Sequence, residues 1–457
     1  MEQLNTETLI KTARQYQVRG QHEEALRTYQ DALAIDPKCS EALHDLGMIH
    51  FRSGDISMAI TLLKEATKYD DRRADFYNNL GTILKTSGDL DAAEKAFRKA
   101  LTLDRNLVPA LVNIGSLLLD RFQVAAALKA LNRAVDLAPE NSTALSTYAE
   151  AKKTSGDVIE ALSLQLQAAE TNPLADFVWL NLANTHMDLE QWDESYLAVK
   201  KSIVISPHLC ESWNNLGFIK INYGEFLLAE RYFIQALIIR NKFAPSYSGL
   251  AEVNYLQNQL DDALKFSALA IQFSPESPHH YKSRRALQLL AKGSMTEGWE
   301  LKEARLCLDH SIDHRGRPPR WDGQSLNDKT LLITAEEGIG DEVFYASCFN
   351  DVINSTKQCF IECDPRLVSL FGRSFPSANV REVERTGSRL KPVQSYYWLP
   401  KNPTVDFSIE TGSLFRFFRS SIDDFQNRGP YLIPQRNLQA KWRARISELG
   451  SGLRSKS

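Results

Sequence analysis

The stretch Asn78-Asn79-Leu80-Gly81, followed by Gly88, Ala93, Phe97 and Ala100, decides the fold of this chain. The same residue types return at Asn214-Asn215-Leu216-Gly217, Gly224, Ala229, Phe233 and Ala236. Aligning the small residues gives a period of 34 residues without an insertion, with units that begin at residues 6, 40, 74, 108, 142, 176, 210 and 244 and end at 277. A fixed period of this length indicates a repeat protein, whose units bury their apolar faces against neighbouring units.

Three columns of small residues predict that each unit is a pair of closely packed helices. The eighth position holds Ala13, Gly47, Gly81, Gly115, Ala149, Ala183, Gly217 and Ala251; the twentieth and twenty-seventh positions hold alanine or serine throughout. Proline recurs between units and glycine within them, where helices end. The pattern resembles tetratricopeptide repeats, and the resemblance implies a right-handed α-solenoid of eight repeats over residues 6–277.

A solenoid of this kind exposes a groove lined by the first helix of each unit. The sixth position of that helix is asparagine in four units, and the second and fifth units carry Asp and Thr there: the set is Asn79, Asn113, Asn181, Asn215, Asp45 and Thr147. Because an amide both donates and accepts, stacked asparagines can hold the backbone of an extended peptide. The column resembles the asparagine ladder of O-GlcNAc transferases. The alternative is that these asparagines only solvate their own repeat.

Composition indicates a soluble, cytoplasmic protein. Hydrophobic residues make up 43% of the chain and charged residues 24%, and no apolar run is long enough for a membrane span. The six cysteines have no zinc spacing, so we expect buried thiols and no metal. Net charge is −3. The basic residues lack aromatic interleaving, which argues against nucleic acid as a partner.

The repeat register fails after residue 277, and residues 278–310 are expected to form capping helices. Residues 311–328 contain two adjacent prolines and no periodicity, so they are expected to be a linker or an ordered strap. His310 and His314 have a spacing that could hold a metal on a helix. The nearby Gly316 and Pro318 disfavour a stable helix. Without that helix, a metal site is poorly supported.

Alternating short apolar runs and helical stretches predict a Rossmann-like α/β half-domain over residues 329–450. Expected strands are 329–335, 359–363, 379–383 and 405–409, and a helix is expected over 343–353. The first strand runs into Glu336-Glu337-Gly338-Ile339-Gly340-Asp341-Glu342. A glycine turn between a strand and a helix lets a bound group approach the backbone, and a helix N-terminus favours anions. No third glycine follows, so a NAD site is poorly supported.

Four motifs in this order resemble bacterial tetratricopeptide proteins fused to a heptosyltransferase-like glycosyltransferase domain: residues 319–323, residues 336–342, residues 362–367 and Gly412-Ser413-Leu414. The resemblance implies an acceptor-side loop at Gly338, Gly340, Gly412 and Ser413, and Asp341 as a candidate general base. A carboxylate there could accept the proton of an acceptor hydroxyl. Asp341 could instead cap the helix that begins beside it. Glu336, Glu337 and Glu342 are expected to support the site indirectly or to face solvent.

The resemblance also implies a second, nucleotide-sugar-binding half after residue 450, where residues 451–457 form only a polar tail. The chain alone is therefore expected to transfer little or no sugar. No cofactor is expected, and a nucleotide sugar would serve only as co-substrate to a supplied second half. Two functions remain open: binding of a protein or glycan acceptor for sugar transfer, and a non-catalytic scaffold for protein interactions.

Overall fold

The computed structural model describes residues 5–307, 313–336, 338–388, 391–401, 404–426 and 429–454. These residues form two compact units, divided after residue 222. The first unit is entirely helical. Its helices are α1 Thr6–Val18, α2 His22–Ile35, α3 Ser40–Arg52, α4 Ile56–Tyr69, α5 Ala74–Thr86, α6 Leu90–Leu103, α7 Val108–Asp120, α8 Val124–Leu137, α9 Ser142–Ser155, α10 Val158–Thr171, α11 Asp176–Asp188, α12 Trp192–Ile205 and α13 Cys210–Asn222.

The first helix of every repeat in this unit begins at the residue that the 34-residue period predicts. The small-residue columns explain the close packing, because their side chains point between the paired helices. A Cβ atom built on Gly81 would lie 2.6 Å from Cε1 of Phe97 in the second helix of the same repeat. Phe97 and Ala93 are both fully buried. The paired-helix array expected from the sequence is confirmed.

The turn between the paired helices requires a left-handed backbone. Gly88 has φ +89°, a conformation in which glycine pays no Cβ penalty. Phe122 and Glu190 occupy the same turn position in their repeats, with φ of 56° and 58°. The second helix then begins with a side-chain cap where the sequence provides one, as when Asp89 accepts a hydrogen bond from the backbone N–H of Ala92 at 3.0 Å.

The second unit begins with helices and continues into the predicted α/β region. Its helices are α14 Phe226–Ile239, α15 Ala244–Leu256, α16 Leu260–Gln272, α17 His279–Lys292, α18 Met295–Lys302, α19 Ile339–Tyr345, α20 Phe349–Ser355, α21 Val368–Ser374, α22 Phe415–Phe418 and α23 Arg436–Arg454. Its strands are β1 Asp313–Arg315, β2 Thr330–Thr334, β3 Gln358–Cys363, β4 Asn379–Glu382, β5 Arg385–Ser388, β6 Lys391–Ser395 and β7 Phe407–Glu410. Short 3₁₀ turns cover Glu303–Cys307, Ala346–Cys348, Thr411–Ser413 and Ile422–Phe425.

The four expected strands form one parallel sheet in the order β4-β3-β2-β7. Leu332 of β2 pairs with Phe360 of β3 on one side and with Ser408 of β7 on the other. Strand β2 is buried along its whole length, which is why its three central residues are apolar. The α/β architecture is therefore as expected.

Several elements differ from the sequence-based expectation. The helix expected over 343–353 is two helices, α19 and α20, separated by a 3₁₀ turn. A second sheet, in the order β1-β6-β5, was not anticipated, because its strands are short, polar and interrupted by Pro392. Helix α23 was not anticipated either, and its described side chains, through residue 447, are exposed.

The region before β2 contributes directly to the α/β core. Trp299 of α18 is 6% exposed and packs edge-on against Phe415, with ring centroids 5.1 Å apart. Trp321, also buried, donates its backbone N–H to the carbonyl oxygen of Ser408 at 2.8 Å. Of the two interpretations for residues 311–328, the described part from 313 onward is an ordered strap. Residues 308–312, with His310, lie outside the described residues.

Candidate functional site

The asparagine column occupies equivalent places on the first helices of four repeats. Asn79 lies on α5, Asn113 on α7, Asn181 on α11 and Asn215 on α13, and each side chain is half-buried. The helical period places the sixth residue of each repeat on the same face of its helix. The structure thus aligns the four amides, as the repeat register requires.

Each of these amides donates a hydrogen bond from Nδ2 to a side chain of the preceding repeat. The acceptors are His44 Nε2 for Asn79 (2.9 Å), Asn78 Oδ1 for Asn113 (2.9 Å), Ser146 Oγ for Asn181 (3.0 Å) and Asn184 Oδ1 for Asn215 (2.6 Å). Among the described residues, Oδ1 of Asn113, Asn181 and Asn215 accepts no hydrogen bond. The column therefore presents carbonyl oxygens that are free to accept.

The direction of the Asn181 bond follows from the groups behind it. Gln165, fully buried, donates from Nε2 to the backbone carbonyl of Ser146 at 3.3 Å, and a carbonyl can only accept. Its Oε1 must therefore accept from the Ser146 hydroxyl, at 3.0 Å. The Ser146 oxygen is then left to accept from Asn181. One backbone carbonyl thus determines which end of the Asn181 amide remains free.

Asp45 occupies the same column position but is used differently. Its carboxylate accepts from Arg14 Nε at 2.7 Å and from the Tyr29 hydroxyl at 3.2 Å, and it binds His44 Nδ1 at 2.8 Å. Burial raises the pKa of Asp45, but the hydrogen bonds from His44 and Arg14 outweigh it and leave the pKa below its usual value. Asp45 is an anchored anion.

Thr147, the remaining member of the predicted column, is turned to its own helix. Its hydroxyl donates to the carbonyl oxygen of Thr143 at 2.8 Å. A hydroxyl bonded to its own helix leaves only lone pairs for another molecule. All four asparagines therefore donate to the preceding repeat, Oδ1 of Asn79 accepts from Asn78, and Asp45 and Thr147 have other partners.

Sequence reasoning missed the fifth position of the repeat, one residue before the column. His44, Asn78 and Ser146 stand there, each 9% exposed or less. They receive or relay the hydrogen bonds of the column. The available signal was a polar residue recurring on an otherwise apolar helix face, 35 residues before a column asparagine. Buried polar residues need partners, so this spacing indicates an inter-repeat pair.

The second candidate site lies at the C-terminal ends of β2 and β7. The chain leaves β2 toward β3 and β4 on one side and returns to β7 on the other, so the direction of the sheet order reverses there. Ligands of parallel α/β sheets bind at such switch points. The loops concerned begin at Glu336, after β2, and at Thr411, after β7.

Arg305 of the chain itself fills this switch point. Its guanidinium makes two bonds to Glu336, from Nε to Oε1 and from Nη2 to Oε2, each 2.8 Å. Nη2 also donates to Ser413 Oγ at 2.9 Å. It lies so near Gly412 that a Cβ atom there would be 2.9 Å from Nη2. The predicted Gly412-Ser413 loop is thus buried and holds an internal cation.

Further ion pairs close the strap over the same edge. Glu410 binds Arg317 Nη1 through Oε1 and Arg320 Nε through Oε2, each at 2.7 Å. Burial raises the pKa of Glu410, but the two guanidinium groups outweigh burial and lower the pKa to about 2. Glu303 pairs with Arg305 at 3.0 Å and also with Arg320. Carboxylates and guanidinium groups thus alternate along this edge.

Gly338, Gly340 and Asp341 are exposed, and they occupy a loop and the first turn of α19. Gly338 is the N-cap residue of α19, and no side chain makes a capping hydrogen bond there. Gly338 and Gly340 are exposed, whereas Gly412 and Ser413 are buried.

Glu342, the residue after Asp341, is 3% exposed and does not face solvent. It accepts a hydrogen bond from the backbone N–H of Asp364 at 2.9 Å. Glu362, at 2% exposure, accepts one from Gln394 Nε2 at 2.5 Å. Burial raises the pKa of each acid to about 7. Glu336 is paired with Arg305, and Glu337 lies outside the described residues.

His314 and the cysteines Cys359 and Cys363 have defined surroundings, whereas His310 lies outside the described residues. His314 lies within hydrogen-bond distance of the Tyr396 hydroxyl, 2.7 Å from Nδ1. Cys359 and Cys363 are buried thiols, and burial raises their pKa to about 12. Within the described ranges no cluster of three metal-ligating side chains occurs.

None of the helices in the described part of the chain combines the length and apolar character needed to cross a bilayer.

Comparisons with known proteins identify the repeats. Models of the tetratricopeptide repeat match residues 19–83, 74–107 and 108–141. The chain is 28% identical over 279 residues to Protein FlbA of Caulobacter vibrioides (strain ATCC 19089 / CIP 103742 / CB 15), a match that covers 60% of this chain and 47% of that protein. The chain thus spans about half the length of this curated relative. It contains tetratricopeptide repeats, a fold suited to protein–protein interaction.

Similar solved structures include the APC/C hetero-tetramer Cut9-Hcn1, with a TM-score of 0.49 and 15% identity over 66% of this chain and 73% of that chain. A tetratricopeptide repeat protein from Parabacteroides merdae ATCC 43184 has a TM-score of 0.46 and 19% identity, covering 55% and 98%. Pseudomonas aeruginosa pilF has a TM-score of 0.40 and 19% identity, covering 47% and 97%.

Proposed function

We propose that the asparagine column binds an extended segment of a partner protein through the backbone of that segment. The observation that carries this proposal is the shared direction of the column amides. Asn113, Asn181 and Asn215 each donate Nδ2 to the preceding repeat and keep Oδ1 free to accept. A row of acceptors fixed in one orientation suits a row of backbone N–H groups.

Backbone recognition fits the chemistry of an extended chain. Such a chain carries one N–H donor at each residue other than proline and advances about 3.3 Å per residue. An amide that is already held by its neighbour loses little side-chain entropy when a ligand binds. Binding of this type tolerates many side chains in the partner, because every residue except proline offers the same donor.

The test is selection of peptides on the immobilised full chain from a phage library of random 12-residue sequences. The best peptide is labelled, and its affinity is measured by fluorescence anisotropy. We expect Asn113→Ala, Asn181→Ala and Asn215→Ala each to weaken binding about two- to tenfold, because each loses one hydrogen bond. The variant that lacks all three should lose binding.

A matched control is Asn132→Ala, which changes an exposed asparagine on a second helix, outside the column, and should leave the affinity unchanged. Failure to select any peptide, or full affinity in the triple variant, would contradict the proposed peptide binding. Circular dichroism of each variant separates a loss of binding from a loss of folding.

A second function, sugar transfer to a hydroxyl of the bound partner, is favoured by the α/β region. Its parallel sheet has the order β4-β3-β2-β7, and the exposed Asp341 follows the open Gly338–Gly340 turn. We propose that Asp341 takes the proton of the acceptor hydroxyl while the hydroxyl oxygen bonds to the anomeric carbon of a nucleotide sugar held by a second half-domain. The bond from that carbon to the phosphate oxygen breaks, and the nucleotide leaves. The alternative is that the chain serves as a scaffold without catalysis.

Sugar transfer is tested by mass spectrometry of a serine-containing selected peptide incubated with the chain and a panel of nucleotide sugars. If transfer occurs, we expect Asp341→Asn to lower it by about 10² or more, the usual loss for a general base. Asp31→Asn, at an exposed aspartate of α2, should leave the rate unchanged. Transfer that survives Asp341→Asn removes Asp341 from the proposal. Transfer by the chain without a second half-domain would contradict the expectation that such a half is needed.

A further inference from the structure

We infer that His44 and Asp45 fix the direction of a hydrogen-bond chain that runs through Asn79 and Asn78 to Asn113, and thereby make the groove an acceptor at Asn113. The chain spans three repeats. This inference rests on the proposed peptide binding and adds two positioning residues to it. His44 and Asp45 act on a bound segment through the asparagines and need not touch it.

The direction begins at the Asp45 carboxylate, which can only accept hydrogen bonds. Arg14 and Tyr29 donate to one of its oxygens, and His44 Nδ1 lies 2.8 Å from the other. Because a neutral imidazole carries one proton, the proton on Nδ1 leaves Nε2 as an acceptor. At metal sites, too, the hydrogen-bond partner of one ring nitrogen of a histidine sets the tautomer.

The acceptor at Nε2 orients the next two amides. Asn79 donates from Nδ2 to His44 Nε2 at 2.9 Å, so its Oδ1 is left to accept from Asn78 Nδ2 at 3.2 Å. Asn78 Oδ1 then faces Asn113 and accepts from its Nδ2 at 2.9 Å. Each amide has one donor atom and one acceptor atom. The orientation that Asp45 fixes at His44 therefore determines the orientation of the Asn113 amide.

Packing holds the first members of this chain in place. The His44 ring is 9% exposed and stacks on Phe76, with ring centroids 4.3 Å apart and planes 10° from parallel. Asn78 is 7% exposed. Buried polar groups of this kind cannot exchange their partners for water without cost. The direction of the chain is therefore set within the protein and does not await a ligand.

Asn113, the last member of the hydrogen-bond chain, presents only an acceptor to the groove. Asn113 Nδ2 also donates to Thr82 Oγ1 at 3.2 Å, while the Thr82 hydroxyl donates to the carbonyl oxygen of Asn78 at 3.1 Å. Both hydrogens of the Asn113 amide are thus used, and only Oδ1 remains. A partner segment must place an N–H group against Asn113, and proline at that residue is excluded.

The first test needs no ligand. The ¹⁵N chemical shifts of the imidazole of His44, measured in the full chain and assigned by comparison with His44→Gln, report which ring nitrogen carries the proton. We expect the Nδ1–H tautomer in the unmodified chain. In Asp45→Asn, whose amide can donate to Nδ1, we expect a shift toward Nε2–H. An Nε2–H tautomer in the unmodified chain would overturn the inference.

The second test is a double-mutant cycle on the affinity of the peptide selected from the phage library. We expect Asn113→Ala to weaken binding severalfold in the unmodified chain and less than twofold in Asp45→Asn, where the Asn113 amide is already reversed. Asn215→Ala is the matched control, because Asn215 is bonded to Asn184 and shares no partner with Asp45. Its effect should be the same in both backgrounds.

The outcomes separate the two proposals. An equal effect of Asn113→Ala in both backgrounds overturns the hydrogen-bond chain, whereas its absence in the unmodified chain overturns peptide binding at Asn113. If no peptide binds at all, the proposed function is wrong. The tautomer of His44 still tests the direction of the hydrogen-bond chain. A peptide with proline against Asn113 that binds as well as its parent also contradicts the inference.

Discussion

Asn181 donates from Nδ2 to Ser146 Oγ at 3.0 Å, across the boundary between two repeats. Ser146 cannot reverse this bond without losing its own acceptor, Gln165, with which it is fully buried. Asn215 makes a similar bond to Asn184, but Asn184 is half-exposed and its amide can turn. Two members of one column therefore differ in how firmly their orientation is held.

The first prediction uses this difference. Replacing Asn181 by aspartate removes the donor, so either Ser146 or Gln165 is left with an unsatisfied buried group, at about 1–3 kcal/mol. Asn215→Asp should cost less than about 0.5 kcal/mol, because Asn184 can turn its Nδ2 toward the new carboxylate. Urea unfolding followed by circular dichroism compares the two. Equal destabilisation would show that the Gln165 bond does not fix Ser146.

The second prediction concerns the turn residue Phe122, which holds φ at 56° with a side chain that is 52% exposed. Glycine has no Cβ clash in this conformation, so Phe122→Gly should raise the free energy of unfolding by about 0.5–1 kcal/mol. The reciprocal change, Gly88→Ala at φ +89°, should lower it by about 1 kcal/mol. Urea midpoints measure both. A loss of stability in Phe122→Gly would contradict the strain assigned to this turn.

The third prediction tests the close approach of paired helices. Gly81→Ala places a Cβ atom 2.6 Å from the fully buried Phe97 ring, and the helices must separate or the ring must turn. We expect Gly81→Ala to lower the free energy of unfolding by about 1–3 kcal/mol, which is typical of overpacking. Gly340→Ala is the control, because nothing lies within 4 Å of its Cβ position. Thermal melts of both variants give the comparison, and equal melting temperatures would refute the prediction.

The fourth prediction concerns the arginine at the sheet edge. Arg305→Ala leaves Glu336 and Glu303 without their shared cation, and losing one partner of a buried pair costs about 3–5 kcal/mol. The Arg305 side chain is 8% exposed and that of Glu336 is 17% exposed. Arg366→Ala breaks a pair with Asp364 at a 70% exposed side chain, where solvent screens the charges, so the urea midpoint should change far less. Tryptophan fluorescence during urea unfolding should show a large shift in the midpoint only for Arg305→Ala.

The fifth prediction is a pH dependence. Glu342 and Glu362 have folded-state pKa values near 7, above their unfolded value of 4.5. Between those pH values the folded state holds protons that the unfolded state has lost, so stability falls as pH rises through this window. A shift of this size corresponds to about 3 kcal/mol for each acid.

Glu342→Gln and Glu362→Gln together should remove this contribution and flatten the difference in urea midpoint between pH 5 and pH 8. Glu410, whose pKa is about 2, stays ionised throughout this range and serves as a reference that does not titrate. Because the comparison is between two chains with the same histidines, histidine titration cancels. An unchanged pH slope in the double variant would contradict the raised pKa values.

The sequence by itself determined the repeat architecture and most of the parallel sheet. Small residues at fixed positions allow only close helix pairs, so the period gave the first residue of each first helix from Thr6 to Ala244. Short, mainly apolar runs predicted β2, β3 and β7, since strands buried on both faces are mostly apolar, although β3 and β7 also bury Glu362 and Glu410. These signals are local or periodic, and they depend on residue type alone.

Tertiary structure alone decided the partners of the polar side chains. The asparagine column was visible in the sequence, but its amide direction depends on residues such as His44 and Ser146, about one repeat away. The acceptor-side loop at Gly412 and Ser413 was predicted as a ligand site. In the structure, Arg305, which precedes the strap in sequence, donates a hydrogen bond to Ser413. Residue type specifies what a group can bind but not which group the fold brings to it. A hydrogen bond or ion pair between distant segments therefore depends on the tertiary geometry of both.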